Sequence, residues 1–469
     1  MYVFYDIETT GTNIVFDQIL QFAAILTDEN FDEVERIDLK CKLLPWVVPS
    51  PTALLITRTT PTMLFEDTRL SFYEMMSFIN ERFDRWSPAT FVGYNSIRFD
   101  EQFLQRAFWQ TLFPPYLTVT NGNRRFDILL AARMVAHFRK DALNWPKTSD
   151  NKITFKLDRL APANGFNHLN AHDALCDVEA TIFLAKLLAT RVPDLWEIVV
   201  RRSTKSDVAD ALASKLPILV FEHMAGVPAS WFGRAVGYSP QSSNEVVVAK
   251  LDHGWLGVLE PFEHTVDAVL KNSPHAVRRV AINKAPVIFT AEEAKLLFGL
   301  TPTQDELAQF EFLGTAPSLT ALIKRIMHEA NPINRAGEEL EQRIFDGFPS
   351  NGDKKLCEEF HRAELSGKSR ISKKFEDKRL RLLAQRLLYL LDPAVLDQAE
   401  VAKMSKAIGE RTLRDEEPFP VWRTRASALV EIAKLYADPS FSPADVTAIE
   451  KWLERFPAPP EGVSSTLNV

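Results

Sequence analysis

The chain opens on an apolar run, Tyr2-Val3-Phe4-Tyr5, that ends in Asp6 and Glu8. Such a run reads as a buried strand. In an extended strand a spacing of two puts both carboxylates on one face. Few folds tolerate that. Asp100 ends the segment Phe91-Val92-Gly93-Tyr94-Asn95-Ser96-Ile97-Arg98-Phe99-Asp100, and Asp177 stands five residues after His172. Four carboxylates in one cleft repel one another unless something positive sits among them. Two hard divalent cations meet that need. Such a pair, typically about 3.5–4 Å apart, polarises a phosphodiester and stabilises its attacking and leaving oxygens. The pattern points to metal-dependent phosphodiester chemistry.

The first 190 residues alternate strand-like and helix-like segments. Gln21-Phe22-Ala23-Ala24-Ile25-Leu26-Thr27 reads as a second strand, with Gly11 and Thr12 in the turn before it. Phe72, Met75, Met76 and Ile79 recur at helical spacing, and Thr90 to Tyr94 returns to strand character. Asp127 is placed to cap a helix beginning Ile128-Leu129-Leu130, and Ala174 to Leu188 forms a helix with Asp177 near its start. This is an α/β layer plan with acids at element ends.

Around Arg191-Val192-Pro193 the texture changes. Short β-rich pieces follow: Val246–Ala249, Trp255–Leu259, Val280–Ile282 and Pro286–Phe289, with a hairpin turn expected at Asp252-His253-Gly254. A small barrel with attached helices is expected there. Phe348 to Asp353 is rich in turn residues, and the sequence beyond it is almost wholly helical in pattern.

With 469 residues the chain has room for two to four domains. Its net charge of -7 excludes a protein coated in basic surface but not a local basic groove that tracks phosphates. No cationic start, signal-peptide run or apolar stretch near the roughly 18 residues that span a bilayer is found, so no membrane association is expected. Cys41, Cys176 and Cys357 are few and scattered, which suits a reducing cytosol and offers no zinc or disulfide spacing.

Three stretches carry a family resemblance. Phe4-Tyr5-Asp6-Ile7-Glu8-Thr9-Thr10-Gly11-Thr12 resembles the first motif of the DEDDh 3′-5′ exonuclease superfamily, and Asn95-Ser96-Ile97-Arg98-Phe99-Asp100 resembles its second. His172-Asp173-Ala174-Leu175-Cys176-Asp177 has the H-x-x-x-x-D form of its third. Leu55-Ile56-Thr57, Asn144-Trp145-Pro146, Asn170–Ala174, Ile282–Val287, Asp346-Gly347-Phe348 and Asp377-Lys378-Arg379 extend the resemblance to the bacterial exonuclease I family along nearly the whole chain. One departure is Ile7, where a family member has an aromatic residue; its side chain is expected to point away from the metals.

The resemblance implies a ribonuclease H-like exonuclease domain with a mixed sheet (1–192), an SH3-like β-barrel domain (193–347) and a C-terminal all-α domain (348–469). It implies removal of mononucleotides from the 3′ end of single-stranded DNA, in DNA repair and recombination. The expected cofactor is a pair of Mg²⁺ ions, with Mn²⁺ as a substitute. Asp6 is expected to bridge them, with Glu8 and Asp177 on the ion nearer the water and Asp100 supporting the other. His172 is expected to be the general base and His168 structural, because only His172 has the five-residue offset to an Asp on the following helix. A monomer in the bacterial cytosol is implied, with a partner: the acidic C-terminal tail of the single-stranded DNA-binding protein.

Other residues carry two readings. Gly11 and Thr12, with Glu8, lie where a terminal nucleotide would enter, yet Gly11 also reads as a turn glycine. Asn95 and Arg98 fit either phosphate contact or holding the motif together, the latter favoured. Phe103, Phe108 and Trp109, near Arg106, fit base stacking or, by their spacing, core packing. Lys354, Lys355, Lys368, Arg370, Lys373, Lys374, Lys378, Arg379 and Arg381, with Arg201, Arg202 and Lys205, are the place to look for a basic groove. The nearest rivals are an RNA-trimming exonuclease of the same superfamily and a silent single-strand-binding scaffold. The first is disfavoured by about 280 residues beyond the first domain, the second by an intact ligand set.

Overall fold

The computed structural model describes residues 1–167, 172–224, 226–258, 266, 276–329 and 339–457. Two five-stranded sheets organise it. The first holds β1 (Tyr2–Thr9), β2 (Ile19–Thr27), β3 (Glu33–Lys40), β4 (Thr90–Gly93) and β5 (Arg124–Asp127), in the order β3-β2-β1-β4-β5. β1 runs antiparallel to β2 and parallel to β4, so the sheet is mixed.

The two-residue period of β1 decides everything near the site. Val3, Tyr5 and Ile7 enter one core cluster with Met75, Met76, Ile79 and Phe83 of the helix Phe72–Trp86. Phe4 enters the opposite cluster with Ala131, Val135, Val178 and Leu184, from the helices Ile128–Phe138 and Ala174–Arg191. Asp6 and Glu8 share Phe4's parity, so they face the helix that carries Asp177. Ile7 points away, as its apolar side chain requires.

Helix starts are fixed by side-chain caps. Ser71 and Glu74 form a capping box, with Glu74 N–H donating to Ser71 Oγ at 3.2 Å. Asp127 accepts from Leu129 N–H at 3.0 Å and Asp173 from Cys176 N–H at 3.4 Å.

The second sheet holds β6 (Ile218–Met224), β7 (Val227–Ser239), β8 (Ser242–Lys250), β9 (Val277–Ala281) and β10 (Ile288–Thr290), in the order β10-β6-β7-β8-β9, all antiparallel. Trp255–Leu259 is not the expected strand: Trp255–Gly257 is a 3₁₀ turn, Trp255 is fully buried and its indole N–H donates to Lys250 O at 2.7 Å, and Leu259 lies outside the described residues. Asp252-His253-Gly254 therefore leads into that turn instead of closing a hairpin. The β7–β8 reversal lies at Ser239 to Ser242.

Six α-helices between Asn351 and Leu453 follow, the expected all-helical texture. They share a core with the first unit: Leu380, Leu383, Ile432 and Trp452 belong to the same cluster as Met75 and Phe91. Asp346-Gly347-Phe348 and Asp377-Lys378-Arg379 meet, because Arg379 donates to Gly347 O at 2.9 Å and to Arg343 O at 2.7 Å. No helix among the described residues is long and apolar enough to cross a membrane.

The two sheet units are tied by a buried ion pair. Arg125 Nη1 donates to Glu101 Oε1 at 2.7 Å, with the side chains 5% and 0% exposed. Glu101 also accepts from Tyr5, Thr118 and Gln105, while Arg125 reaches Asn283 O across the boundary at 2.6 Å. Removing one partner of such a pair strands the other charge, at a cost of about 3–5 kcal/mol. Glu101→Ala is expected to lower the denaturant midpoint accordingly with its slope unchanged; an unmoved midpoint contradicts this.

Candidate active site

Three stretches distant in sequence converge at the C-terminal end of β1. Glu8, His172 and Asp177 each offer a ligand atom, and these lie within 4.8 Å of one another. Asp177 is in the first turn of its helix and Asp100 is the first residue of the helix Asp100–Gln110. Two helix N-termini thus face the cluster, and their unsatisfied N–H groups favour negative charge. Asp100 is pinned to β1 itself: the N–H of Ile7, between Asp6 and Glu8, donates to its Oδ1 at 3.2 Å.

That help is insufficient. Desolvation first, then the neighbouring Asp100, Asp177 and Glu8, push the Asp6 carboxyl well above the usual carboxylate range. Desolvation, with Asp177, Asp100 and Asp173 nearby, raises Glu8 to about 9. Asp100 rises to about 7, mainly through burial and despite its backbone hydrogen bonds. No Lys or Arg makes a salt bridge to Asp6, Glu8 or Asp100 among the described residues. Carboxylate oxygens plus one imidazole, short of compensating charge, are a donor set fitted to hard divalent cations. The site is a divalent-metal site by its chemistry.

Supporting contacts explain the local sequence. Gln21 pairs with Glu8 across the β1–β2 ladder, and its amide donates to Asp38 at 2.8 Å and to Asp173 at 3.3 Å. Asp127 does more than cap its helix: it accepts from the N–H groups of Asn95 at 3.0 Å and Ile97 at 3.4 Å, which fixes the loop leading to Asp100. His172 has φ 68, a left-handed backbone uncommon outside glycine. His168, expected to be structural, lies outside the described residues, as do Asn170 and Ala171.

The secondary candidates divide. A Cβ on Gly11 would lie 2.4 Å from Asp17 Oδ2, so close packing by a neighbouring side chain requires this glycine. Asp17 in turn pairs with Arg423 at 3.0 Å, which locks the loop of Gly11 and the exposed Thr12 to the C-terminal helices. Asn95 anchors its loop through its backbone. Arg98 is exposed and sits in a basic cluster with Arg133, His223 and Lys284; burial first and neighbouring positive charge second hold the His223 ring below its ordinary range. Desolvation, then Arg125 and Arg98, lower the Lys284 ammonium. That cluster crosses from the first sheet unit to the second.

Phe103, Phe108, Trp109 and Arg106 are buried, so the core reading is correct. The expected basic groove dissolves in part. Lys368 is buried with its ammonium on Phe360 O at 2.6 Å, and Arg379 holds backbone carbonyls. Arg202 pairs with Glu293 at 3.1 Å and Arg201 joins the same carboxylate at 2.6 Å. Sequence reasoning missed Asp173, whose position just before an apolar helix was a capping signal, and Arg133, which no motif marks.

Residues 3–185 match the model of the Exonuclease family. The chain is 29% identical over 421 residues to Exodeoxyribonuclease I of Escherichia coli (strain K12), covering 85% of this chain and 87% of that protein. It is similar to the crystal structure of E. coli Exonuclease I in complex with a dA16 oligonucleotide, with a TM-score of 0.82, 27% identity, and 97% and 99% of the two chains covered. A structure of SSB/Exonuclease I in complex with an inhibitor matches with a TM-score of 0.80, 26% identity, and 97% and 99% coverage.

A group whose folded pKa is raised loses stabilisation as pH climbs from its unfolded value through the folded one. For Glu8 that window runs from the ordinary range near 4.5 to about 9. Without metal, Glu8→Gln is therefore expected to melt progressively above the wild type between pH 5 and 9 (about those limits). Saturating Mg²⁺ reverses the order, because binding to the folded state stabilises it. Melting curves parallel across pH and indifferent to Mg²⁺ contradict the site.

Proposed function

We propose that the chain is a member of the exonuclease I family, to whose proteins it is similar along most of its length, and that it releases mononucleotides from the 3′ end of single-stranded DNA. The observation that carries this reading is the convergence of Asp6, Glu8, Asp100, Asp177 and His172 at one end of β1. Asp6, Glu8, Asp100 and Asp177 would hold two Mg²⁺ ions, for which Mn²⁺ would substitute. When bound, such ions polarise the scissile phosphodiester and offset charge on the attacking and leaving oxygens.

The protein's own groups do the rest. His172, exposed at the rim beside Glu8 and Asp177, takes a proton from the attacking water at a ring nitrogen. The water oxygen bonds to phosphorus as the bond to the 3′-oxygen breaks. That oxygen gains a proton from solvent, leaving a nucleoside 5′-monophosphate and a shortened strand. Asp127 and the Ile7 N–H keep Asp100 in place throughout. Arg98, Arg133, His223 and Lys284 are placed to hold phosphates of the incoming strand. Gly11 and Thr12 border its terminal nucleotide, with Asn95 holding the second motif.

The SSB/Exonuclease I complex supports the acidic tail of the single-stranded DNA-binding protein as a partner. A monomer acting in the bacterial cytosol, in repair and recombination, completes the reading. The same reading divides the chain into three domains, 1–192, 193–347 and 348–469.

End-labelled single-stranded DNA, duplex DNA and RNA, each with Mg²⁺ or chelator, test it. Stepwise 3′ shortening of the single-stranded DNA alone, abolished by chelator, is expected. Asp6→Ala and Asp177→Ala lose hydrolysis while keeping the fold. His172→Ala loses about 10²–10⁴-fold in turnover. Preferred RNA trimming, or near-normal activity in an aspartate variant, overturns the assignment.

A further inference from the structure

The carboxylate cluster has cations on both flanks. On the β5 side, Arg98, Arg133 and Lys284, with His223 beside them, form a basic cluster that reaches into the second sheet unit. On the β3 side lies something different: a cavity of about 330 Å³ that begins at Glu8 and His172 and is lined by Lys40, Arg58 and Arg69. Its size is near the lower limit of small-molecule sites, roughly 300–1,000 Å³. It suits one small ligand, not a strand.

Two observations mark it as built for an anion. Arg69 is 8% exposed and has no salt bridge among the described residues; its Nη1 reaches only Cys41 O at 3.4 Å and its buried Nε has no partner. Burial disfavours the charged form of a guanidinium held that way, and Glu66, the nearest carboxylate acting on it, makes no salt bridge with it. Arg58 is strained. It follows the short helix Pro51–Ile56 and its Thr57 cap at φ 53, a position where helices favour glycine. Its exposed side chain has no hydrogen bond or ion pair among the described residues. A non-glycine residue kept in that conformation is a pointer to function. Lys40, 3.9 Å from Asp173, closes the third side.

We infer that this cavity receives the phosphate of the nucleoside 5′-monophosphate released by cleavage, so that product leaves on the β2–β3 side while the strand stays on the β4–β5 side. The inference rests on the exonuclease reading. A phosphomonoester is more negative than the diester it came from, and the cavity supplies donors without further carboxylates beyond Glu8 and Asp173. Thr57 and Thr59, hydrogen-bonded to each other at 2.9 Å, add hydroxyls to the wall. Separate exits for product and strand let one nucleotide depart without release of the remaining DNA.

The test is calorimetric titration of the Mg²⁺-loaded protein, free of DNA, with dAMP, deoxyadenosine and inorganic phosphate. The wild type is expected to bind dAMP at least tenfold more tightly than either of the others. Arg58→Asn, in which asparagine tolerates the positive φ, and Arg69→Met each weaken dAMP at least tenfold. Arg69→Lys recovers part of that loss, and inhibition of strand shortening by dAMP weakens by the same factor in each variant. Unchanged dAMP affinity in Arg58→Asn and Arg69→Met overturns the inference, as does inorganic phosphate binding as tightly as dAMP. The two readings fail separately. A protein that binds dAMP through Arg58 yet leaves DNA intact refutes only the nuclease, whereas an active enzyme whose dAMP affinity ignores both arginines refutes only the pocket.

Discussion

Mutual repulsion among Asp6, Glu8, Asp100 and Asp177 is the constraint around which this molecule is built. The fold forces these groups together in a buried place: burial first and the neighbouring acids second raise the protonation equilibria of Asp6 and Glu8, and burial raises that of Asp100. A central strand between β2 and β4 supplies two of the acids on one face. Helix N-termini supply the others, where partial positive charge softens but does not cancel the repulsion. Divalent cations resolve what remains, and so the site's instability without metal and its chemistry with metal have one origin.

The surrounding structure serves that concentration of charge. Gln21 joins β2 to the third motif, and Asp127 holds the second. The first motif's loop is gripped from afar: Gly11 leaves room for Asp17, and Asp17 takes Arg423 from the C-terminal helices. Glu431, 3.5 Å from the same arginine, also accepts from Ser50 and from Thr52 N–H. The helical region is thus an integral wall beside the first motif's loop. Basic groups flank the acids on both sides, Arg98 and Lys284 on one and Lys40, Arg58 and Arg69 around a cavity on the other.

Much of this was legible in the residues. The parity of Phe4, Asp6 and Glu8 against Val3, Tyr5 and Ile7 states which face is acidic, because strand period is invariant. Asp127 was readable as a cap. Its second role, holding Asn95 and Ile97, was not, since that depends on a parallel β4–β5 pairing. β3 escaped notice because Glu33–Lys40 is a charged edge strand without an apolar run. β5 escaped because its four residues, Arg124-Arg125-Phe126-Asp127, carry two arginines and end on the acid that caps the next helix, so no apolar run marks it. Trp255 misled, because an aromatic between hydrophobic residues reads as strand whether it lies in a ladder or plugs a core. Charge runs misled as well: Lys368 and Arg379 satisfy backbone carbonyls, and only tertiary contacts separate such residues from ligand-binding ones. Arg58 and Arg69 lie in no motif and acquire meaning only from the cavity they share.

The most direct measurement is anomalous diffraction from crystals soaked in Mn²⁺. Two peaks are expected within the cluster, one among Asp6, Glu8 and Asp177 and one toward Asp100. Crystals that take up manganese elsewhere while these carboxylates stay bare would contradict the account at its root.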